Sequence, residues 1–474
     1  MHEFAVIGSG IGGSGIAAAL HAGGRDVALF EKEPYLGGCS STFAHGCYRY
    51  NTGATTLAGY QDGHVVKYLF DAIGYRPVLI DSDPAIVIIQ NGKITPRHRE
   101  LETFLDALEQ NYPHPKNRAF WTLVRDIGTA FYAMDGYRFR SDSLLSKGIS
   151  LASYLPMLLR FGRYLRHNAE HFIRHFFGEI RSEYLDFMEA QLLIVTQAPA
   201  RELNFLTAAL ALGYTFNRTH YVPGGMGTVI EGIAANLPKV YRRTQITQVQ
   251  RSPRGYLLHT DRGETHEAKN IILNSTVYDA PALFSDTQIR RFYQQYEKLD
   301  NHQSSFILYL TLKTGRPFHH HYQIIASAPF AHTLSKAVFV SFSDPGDTEL
   351  APSGYRSVTA SIHTDVRCWE DESLYDARKS ELQSLLEQTI CATLGIDKNA
   401  IVHRFAATPR TFRRYILRSQ LGGNAITMKN FLPHLPGNDT PFKGLFHVGD
   451  TVYAAQGWPG VVLGVQNLRG ILHV

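Results

Sequence analysis

Two short apolar runs with a glycine-rich stretch between them lie near the start of the chain. FAVIG (Phe4 to Gly8) and the apolar part of DVALF (Asp26 to Phe30) have the continuous hydrophobicity of buried parallel strands. Between them, SGIAAALHA predicts a helix that ends at Gly23 and Gly24. The pattern therefore predicts a strand–helix–strand unit of an α/β fold.

The pattern changes in the middle of the chain. From about Gln61 to Thr215, helical periodicity and bulky aromatic side chains dominate. YVPGGMGTVIEGIAANL (Tyr221 to Leu237) then repeats a glycine turn followed by a helix. Short strands joined by Pro/Gly turns follow it and lead to the buried run NIILN. We expect this segment to return the chain to the first unit.

A second mixed segment runs from about Phe284 to Ile401. It contains the predicted strands SSFILYLTL and SVTASIHT and the predicted helix LYDARKSELQSLLEQTICATLG. The last motif, GLFHVGDTVYAAQGWPGVVLGVQNLRGIL, predicts a strand, a loop and then a helix from about Pro459, because proline is favourable near a helix start.

Composition sets broad limits on the class of protein. The chain has 474 residues, of which 44% are hydrophobic and 19% charged, enough for two or three packed units. A formal net charge of +5 does not by itself indicate nucleic-acid binding, and the 4 cysteines form no CxxC pair, so we expect a reducing compartment. No run reaches the ~18 apolar residues of a spanning helix, and no signal-peptide pattern precedes Phe4. We therefore expect a cytoplasmic protein, soluble or peripheral to the cytoplasmic membrane.

The glycines after the first strand have the spacing GxGxxG. Gly8 permits a tight turn, Gly10 lets the backbone approach a pyrophosphate at the helix N-terminus, and Gly13 allows close packing of helix and strand. Glu31, at the end of the second strand, is placed to accept hydrogen bonds from a ribose diol. A tight turn without a ligand would leave Glu31 unexplained. This unit predicts a dinucleotide site.

The residues after Glu31 help to decide whether the dinucleotide is NAD or FAD. KEPYLGGCSSTFAHGCYRYNTGATT (Lys32 to Thr56) resembles the glutathione-reductase-type FAD-binding fold, in its amine-oxidase, phytoene-desaturase, carotenoid-isomerase and retinol-saturase branch. In many members of that family, an arginine follows the glycine pair that corresponds to Gly37-Gly38 in this chain. Here Cys39 and Ser40 follow it, which favours the carotenoid-isomerase and retinol-saturase members and removes one expected cationic contact to the cofactor phosphates. The resemblance implies FAD.

Three further stretches resemble the same branch. They are NTGATT (Asn51 to Thr56), TPRTFRRY (Thr408 to Tyr415) and the Gly449-Asp450 pair with the helix after it. The resemblance implies that Asp450 accepts hydrogen bonds from the ribityl chain, although an aspartate in a turn would explain it too. It also implies that the last helix points its N-terminus at the flavin, with Gly460 among the residues beside the ring, and that backbone near Ile246 holds the adenine. The cofactor-binding residues predicted in this way are Gly8, Gly10, Ile11, Gly12, Gly13, Glu31, Lys32, Gly38, Cys39, Ser40, Gly53, Ile246, Gly449, Asp450, Trp458, Pro459 and Val461.

The fold class implied is α/β, a Rossmann-like glutathione-reductase-type FAD-binding domain with an interleaved α+β substrate domain. We expect the discontinuous FAD-binding domain to comprise residues 1–60, 216–283 and 435–474. The substrate-binding domain would comprise residues 61–215 and 284–434, which leaves room for membrane-facing helices. Only one GxGxxG has strand and helix context, so a separate NADPH domain is not expected.

The resemblance implies an FAD-dependent oxidoreductase or isomerase that acts on carbon–carbon double bonds of a long lipophilic substrate. Desaturation, saturation and cis–trans isomerisation of a polyene or an unsaturated acyl chain all stay open, and in each the flavin carries the chemistry. No paired carboxylates or triad emerge, so no catalytic side chain is assigned. The C-terminal motif lacks cysteine, which predicts noncovalent FAD. Substrate-facing candidates, each also explained as a core aromatic residue, are Tyr214, Tyr221, Phe412, Tyr453 and Trp458.

Two other functions stay open, a flavin amine oxidase with an aromatic cage that could include Trp458, and a non-catalytic flavin-binding protein. The three histidines from His319 to His321 adjoin a polar turn, and we expect no metal site there. Leu155 to His167 reads as a basic amphipathic helix, which packs one face into the core or lies on an anionic membrane. The expected partner is a lipophilic small molecule, and no nucleic acid is expected.

Overall fold

The computed structural model describes residues 1–133, 139–140, 144–430, 435–453 and 457–474. Its strands are β1 (His2–Ile7), β2 (Val27–Phe30), β3 (Thr42–His45), β4 (Tyr48–Asn51), β5 (Leu57–Ala58), β6 (Ile80–Asp81), β7 (Ile86–Gln90), β8 (Lys93–Arg97), β9 (Thr219–Tyr221), β10 (Val240–Tyr241), β11 (Ile246–Ser252), β12 (Gly255–Thr260), β13 (Thr265–Leu273), β14 (Gln303–Lys313), β15 (His321–Ile325), β16 (Ala337–Phe342), β17 (Tyr355–Asp365), β18 (Ile401–Ala407) and β19 (Leu445–His447). Its α-helices are α1 (Ile11–Ala22), α2 (Val65–Ala72), α3 (Leu101–Asn111), α4 (Asn117–Tyr132), α5 (Leu144–Ser153), α6 (Leu155–Phe161), α7 (Ala169–Phe177), α8 (Ser182–Thr196), α9 (Phe205–Leu212), α10 (Met226–Ala234), α11 (Thr287–Gln294), α12 (Glu372–Leu394), α13 (Pro409–Ile416) and α14 (Gly457–Leu472).

The predicted strand–helix–strand unit forms the middle of a 7-stranded sheet. Its order is β10-β2-β1-β13-β12-β11, with β19 paired to β13. Ala5 pairs in parallel with Ala28 on one side and Ile271 on the other, and Leu445 continues the parallel part beyond Ile271. Helix α1 packs against α10 and α14, so β1 and β2 are buried on both faces, as continuous apolar strands require.

A second 7-stranded sheet has the order β18-β14-β17-β16-β15-β7-β8 and is antiparallel except where β15 meets β7. Helix α8 packs on this sheet, where the Gln323 side-chain amide donates to the Ala190 carbonyl over 2.8 Å. Together the two sheets confirm the α/β class with a glutathione-reductase-type unit. The expected domain boundaries at residues 60, 215, 283 and 434 stay a prediction.

Helices dominate residues 61–215 as expected, but the segment also contains three strands that the sequence analysis did not identify. Helices α2 to α9 occupy most of it, but β6, β7 and β8 lie there as well. β7 and β8 form a hairpin whose turn residues Asn91 and Gly92 have φ of 50° and 77°. Asn-Gly between two apolar runs is a hairpin signal, so the sequence IVIIQNGKIT carried this information.

The expected basic helix from Leu155 to His167 is shorter than predicted. Helix α6 ends at Phe161, and residues Gly162–Leu165 continue as a 3-10 turn. Within the described ranges, no helix combines the length and hydrophobicity that crossing a bilayer demands.

Candidate functional site

A single large cavity of about 1430 Å³ extends from the glycine turn after β1 to helices α5, α6, α8 and α9. It gathers residues from distant parts of the chain, because the carboxyl ends of β1, β2 and β13 meet at one edge of the first sheet. Of the predicted site residues, those that line it are Gly8, Gly10, Ile11, Gly12, Glu31, Lys32, Gly38, Cys39, Ser40, Gly53, Tyr214, Ile246, Phe412, Gly449, Asp450, Tyr453, Trp458, Pro459 and Val461.

Two predicted residues lie outside this lining. Gly13 packs inside the turn, where an added Cβ would stand 2.0 Å from the Gly8 carbonyl oxygen. Tyr221 is buried beside a small separate cavity and its hydroxyl donates to Asp347 over 2.5 Å. Gly13 therefore packs as the fingerprint expects, and Tyr221 is a core aromatic residue that does not line the large cavity.

The start of α1 has the features of an anion site. Gly8 has φ of 97°, a conformation that favours glycine, and no side chain of the described residues caps the helix at Gly10. The first amide groups of an uncapped helix have no intrahelical acceptor, and they carry the positive end of the helix dipole. Of the residues that carry these amides, Ile11 and Gly12 line the cavity.

Asn274 supports this turn and was not singled out from the sequence. It follows β13, and added Cβ atoms at Gly10 and Gly12 would each lie 2.7 Å from its side-chain amide. Only glycine leaves room for that amide beside the turn. A polar residue at the carboxyl end of the buried run NIILN was the available signal.

The carboxylate of Glu31 is held in place at the end of β2. It accepts hydrogen bonds from the Ser9 amide over 3.0 Å and from the Glu33 amide over 2.9 Å. The Ser9 hydroxyl donates to the same carboxylate. A carboxylate with two oxygens retains acceptor capacity beyond these bonds, so Glu31 is oriented for a further donor from the cavity.

Asp450 has a partner that the sequence reading missed. Nη2 of Arg418 donates to Oδ2 of Asp450 over 3.0 Å, and Nε of Arg418 donates to the Gln420 carbonyl over 2.8 Å. Burial alone would lower the pKa of Arg418, but Asp450 and Cys39 outweigh it and raise that pKa. The Arg418 guanidinium thus lies near Cys39, the position at which the resemblance led us to expect an arginine. It supplies a cation in the cavity lining that the sequence at position 39 lacks.

Helix α13 contacts Lys32 at the end of the cavity that contains the glycine turn and Glu31, which is called the cofactor end below. The Nζ of Lys32 donates to the carbonyls of Arg414 and Tyr415, both over 3.2 Å. Phe412 and Arg413 of the same helix line the cavity. The TPRTFRRY motif therefore closes one side of the site, a role that the resemblance alone did not specify.

The half of the cavity away from the glycine turn is mostly apolar. Tyr453 stacks on Phe139 with ring centroids 4.8 Å apart, and its hydroxyl pairs with that of Tyr154. Burial raises the pKa of both Tyr214 and Tyr453, so both phenols stay neutral. Among the described residues, acidic side chains in the lining occur only at the cofactor end, at Glu31, Glu33, Asp279 and Asp450.

The three histidines from 319 to 321 have separate partners. His320 contacts Ser82 over 2.7 Å and Asp344 over 3.1 Å, while His321 lies between Thr56 and Ser341. Burial lowers the pKa of His321 to about 3. In the parts of the chain that the structure describes, no group of three or more His, Cys, Asp or Glu could hold a metal ion.

These features fit a dinucleotide. An uncapped helix start lies beside glycines, a fixed acid stands at the end of the neighbouring strand, and both line one cavity. The N-terminal residues of α14 and the Gly449-Asp450 pair line the same cavity. The helix start, the fixed acid and the start of α14 thus lie in one cavity, as the binding of an extended dinucleotide would require.

Comparison with known proteins agrees with this reading. The chain is 25% identical to the chloroplastic prolycopene isomerase of Daucus carota, over 96% of this chain and 77% of that protein. It is 21% identical to the carotenoid 3,4-desaturase of Haloarcula japonica, over 67% of this chain and 65% of that protein. The fold matches that of cyclohexylamine oxidase from Brevibacterium oxydans with a TM-score of 0.64 and 13% identity, covering 99% of this chain and 98% of that chain.

The model of one protein family matches almost the whole chain, from residue 14 to residue 465, and its members are described as flavin-containing amine oxidoreductases. The match begins directly after Gly13 and includes Glu31 and the Gly449-Asp450 pair. The chain belongs to this family of flavin-dependent enzymes.

Proposed function

We propose that this protein binds one FAD noncovalently and acts on carbon–carbon double bonds of a long lipophilic substrate, such as a polyene. The observation that carries the proposal is the large cavity, which is lined by glycines and acidic side chains at the α1 end and by leucines, aromatic side chains and uncharged polar groups farther away. A cofactor and a long apolar molecule would lie end to end in it.

The residues that would hold FAD are among those that line the cavity. The first amides of α1 would bind the pyrophosphate, Glu31 the ribose diol, and backbone near Ile246 the adenine. Asp450 would accept from the ribityl chain while the hydrogen bond from Arg418 holds its carboxylate in position. When bound, FAD supplies hydride transfer or electron donation at its ring, and the protein supplies orientation and a dry surrounding. One cysteine, Cys39, occurs among the described lining residues. Burial raises the pKa of its thiol, which disfavours the thiolate that covalent attachment of the flavin would need.

The substrate class follows from charge and hydropathy. Away from the cofactor end, the lining includes Leu158, Leu206 and Leu210, and no acidic side chain occurs there among the described residues. A protonated amine in such a cavity would lose its hydration without gaining a counter-ion. A neutral polyene has no charge to desolvate when it enters the cavity. The similar proteins named for prolycopene and carotenoid reactions point to the same substrate class.

We further propose that residues 1–60, 216–283 and 435–474 form the cofactor unit and residues 61–215 and 284–434 the substrate unit. The strands of the first sheet fall within the former ranges and those of the second sheet within the latter.

Substrate would enter through the surface of α5 and α6, at an anionic membrane. Lys147 and Leu151 of α5 are exposed and also line the cavity, so an opening lies there. Large apolar side chains are exposed around it, namely Leu144, Leu145, Ile149, Leu151, Leu155 and Leu159. Arg160, Arg163 and Arg166 are exposed beside them and would contact anionic headgroups.

The proposal is tested first on the cofactor. Acid precipitation of the purified yellow protein should leave one FAD per chain in the supernatant. Flavin that stays with the precipitate would contradict noncovalent binding, and a different flavin in the supernatant would contradict FAD.

The reaction class is tested under anaerobic conditions. Oxidised enzyme is mixed with polyenes, with unsaturated acyl lipids, and with cyclohexylamine and putrescine as amine probes, while flavin absorbance is followed. Dithionite-reduced enzyme is then mixed with the same lipids and the products are analysed for isomerised or saturated double bonds. We expect a lipid to bleach the flavin or to be converted. Bleaching by an amine alone would favour an amine oxidase, and no reaction with any probe would favour a non-catalytic flavin-binding protein.

A further inference from the structure

One wall of the cavity carries a histidine that nothing above uses. His363 of β17 lines the cavity, and its Nδ1 atom is buried without a hydrogen-bond partner among the described residues. Burial lowers the pKa of His363 to about 4, so the imidazole is neutral near pH 7. Buried polar atoms in native proteins are nearly always paired, so an unpaired ring nitrogen in a residue that lines a cavity is a candidate for pairing with a ligand.

Other polar groups surround His363. Ser305 of β14 is its direct partner across the strand pair, and Ser361 lies two residues away on the same face. Both serines line the same cavity as His363. The three side chains form a polar patch on a wall that otherwise presents residues such as Ile307 and Phe339.

Gln197 adds a second unpartnered group at this end of the cavity. It ends α8 with φ of 58°, a left-handed conformation uncommon for glutamine, and its Oε1 atom is buried without a hydrogen-bond partner in the described parts of the chain. Gly422 packs so closely that an added Cβ would lie 2.3 Å from Cδ of Gln197. The segment before Gly422 follows the start of β14, because the Leu421 amide donates to the Gln303 carbonyl over 3.0 Å. Gln197 and Ser305 are thus brought to the same region.

The position of this region relative to the cofactor end follows from β14. The Tyr309 hydroxyl donates to the Thr52 carbonyl over 2.7 Å, next to Gly53, which is predicted to face the flavin. Ser305 lies four residues further along the same strand, a separation of about 13 Å at the ordinary rise of a strand. A molecule that reaches from the flavin to Ser305 must therefore be long.

We infer that His363, Gln197 and Ser305 form a recognition site for a neutral, oxygen-bearing end group of the substrate, a hydroxyl or a carbonyl. The inference rests on the proposed function and specifies its substrate as an oxygenated polyene and not a pure hydrocarbon. A hydroxyl both donates and accepts, which matches a neutral imidazole and an amide in either orientation. A carboxylate fits less well, because Arg418, the cation of the described lining that lies nearest in the chain to Leu421 and Gly422, already pairs with Asp450.

The test uses matched pairs of probes with the FAD-loaded full chain. Each pair is an all-trans polyene alcohol and the hydrocarbon that has a methyl group in place of its terminal CH2OH, with all-trans-retinol as the shortest alcohol and C30 and C40 polyene alcohols as the longer ones. Binding is measured from the change in flavin absorbance on titration. For at least one length, we expect the wild type to bind the alcohol about 10-fold or more tightly than the hydrocarbon, because the hydrocarbon leaves the buried polar groups unpaired.

Two variants and one control complete the test. His363→Leu should remove the preference for the alcohol and leave hydrocarbon binding in place, whereas His363→Gln, which keeps hydrogen-bonding capacity, should retain part of it. His403→Leu is the matched control, since His403 pairs with His45 at the protein exterior and does not line the cavity. Equal binding of alcohol and hydrocarbon by the wild type at every length, or an unchanged preference in His363→Leu, would overturn the inference alone. Failure of every polyene to bind would overturn the proposed function with it.

Discussion

The indole nitrogen of Trp458 donates a hydrogen bond to the hydroxyl of Ser40 over 3.0 Å, between residues 418 positions apart in the chain. Ser40 ends the 3-10 turn Gly38–Ser40, and Trp458 lies in the first turn of α14. The bond fixes the N-terminus of the last helix against the segment that follows the dinucleotide motif. Both side chains are buried and both line the cavity, so this contact sets the width of the site where the ring of the flavin is proposed to lie.

Trp458→Phe keeps the aromatic bulk and removes the donor of this bond. Loss of one buried hydrogen bond costs about 1 kcal/mol, so we expect FAD affinity to fall by about 5-fold. Trp369→Phe is the matched control, because the Trp369 indole donates to Thr364 over 2.8 Å within the second sheet and away from the cavity. FAD titration monitored by flavin fluorescence should show a weaker Kd for Trp458→Phe only. The same loss in both variants would indicate general destabilisation.

Glu31→Gln tests the diol-binding role. The substitution keeps the shape of the side chain and removes its charge, and hydrogen bonds to a charged group contribute roughly 1.5–3 kcal/mol. We therefore expect FAD affinity to fall by about 10- to 100-fold. Glu267→Gln, on β13 and paired with Arg254 at the exterior, should bind FAD like the wild type. Full occupancy of Glu31→Gln at limiting FAD would show that its charge has no part in binding.

The first sheet and the dinucleotide motif could be predicted because their determinants are local. Continuous apolar strands, a glycine turn and an acid at a fixed spacing are all visible in one stretch. The Gly449-Asp450 pair near the other end of the chain supports the same prediction. Arg418, Asn274, His363 and Gln197 could not be predicted in the same way. Each acts through a partner that only the folded chain brings near, as Arg418 does with Asp450, and none lies in a motif with recognisable spacing.

The second sheet shows a different limit of the sequence reading. Strands β14 and β17 were predicted, yet the hairpin of β7 and β8 joins them from a segment read as helical. Tyr221 and Phe412 looked alike as aromatic residues beside glycine or proline, but only Phe412 lines the large cavity. Hydrophobicity predicts that an aromatic side chain is buried, and the topology decides whether it is buried in the core or against a ligand.

Arg418→Met and Asp450→Asn separate the pair that the structure places at the cofactor end. Both side chains are mostly buried, so removing one partner leaves an uncompensated charge and should lower the free energy of unfolding by about 3–5 kcal/mol. The double variant removes both charges and should recover much of that loss. We expect FAD binding to stay weak in the double variant, since the acceptor for the ribityl chain is neutralised. Urea unfolding of the three apoproteins, with FAD titration alongside, measures both quantities. Additive losses in the double variant would show that the two side chains act independently.

The surface of α5 and α6 should bind anionic vesicles in proportion to its charge. An anionic surface attracts each nearby Lys or Arg by about 1 kcal/mol, so reversing Arg160, Arg163 and Arg166 to Glu should weaken vesicle binding by at least about 100-fold. The matched control reverses three exposed arginines of the first sheet, Arg251, Arg254 and Arg262, and has the same net charge. Flotation with phosphatidylglycerol vesicles should recover the wild type and the control but not the first variant, and 0.5 M salt should reduce recovery of both.

A further variant with Leu155 and Leu159 changed to Ser keeps the charge and removes two exposed apolar contacts, so it should also lose binding. If the two charge reversals behave alike, attraction depends on net charge and not on this face. If the wild type never floats, the apolar side chains around the opening do not meet a bilayer, and substrate must be delivered in another form.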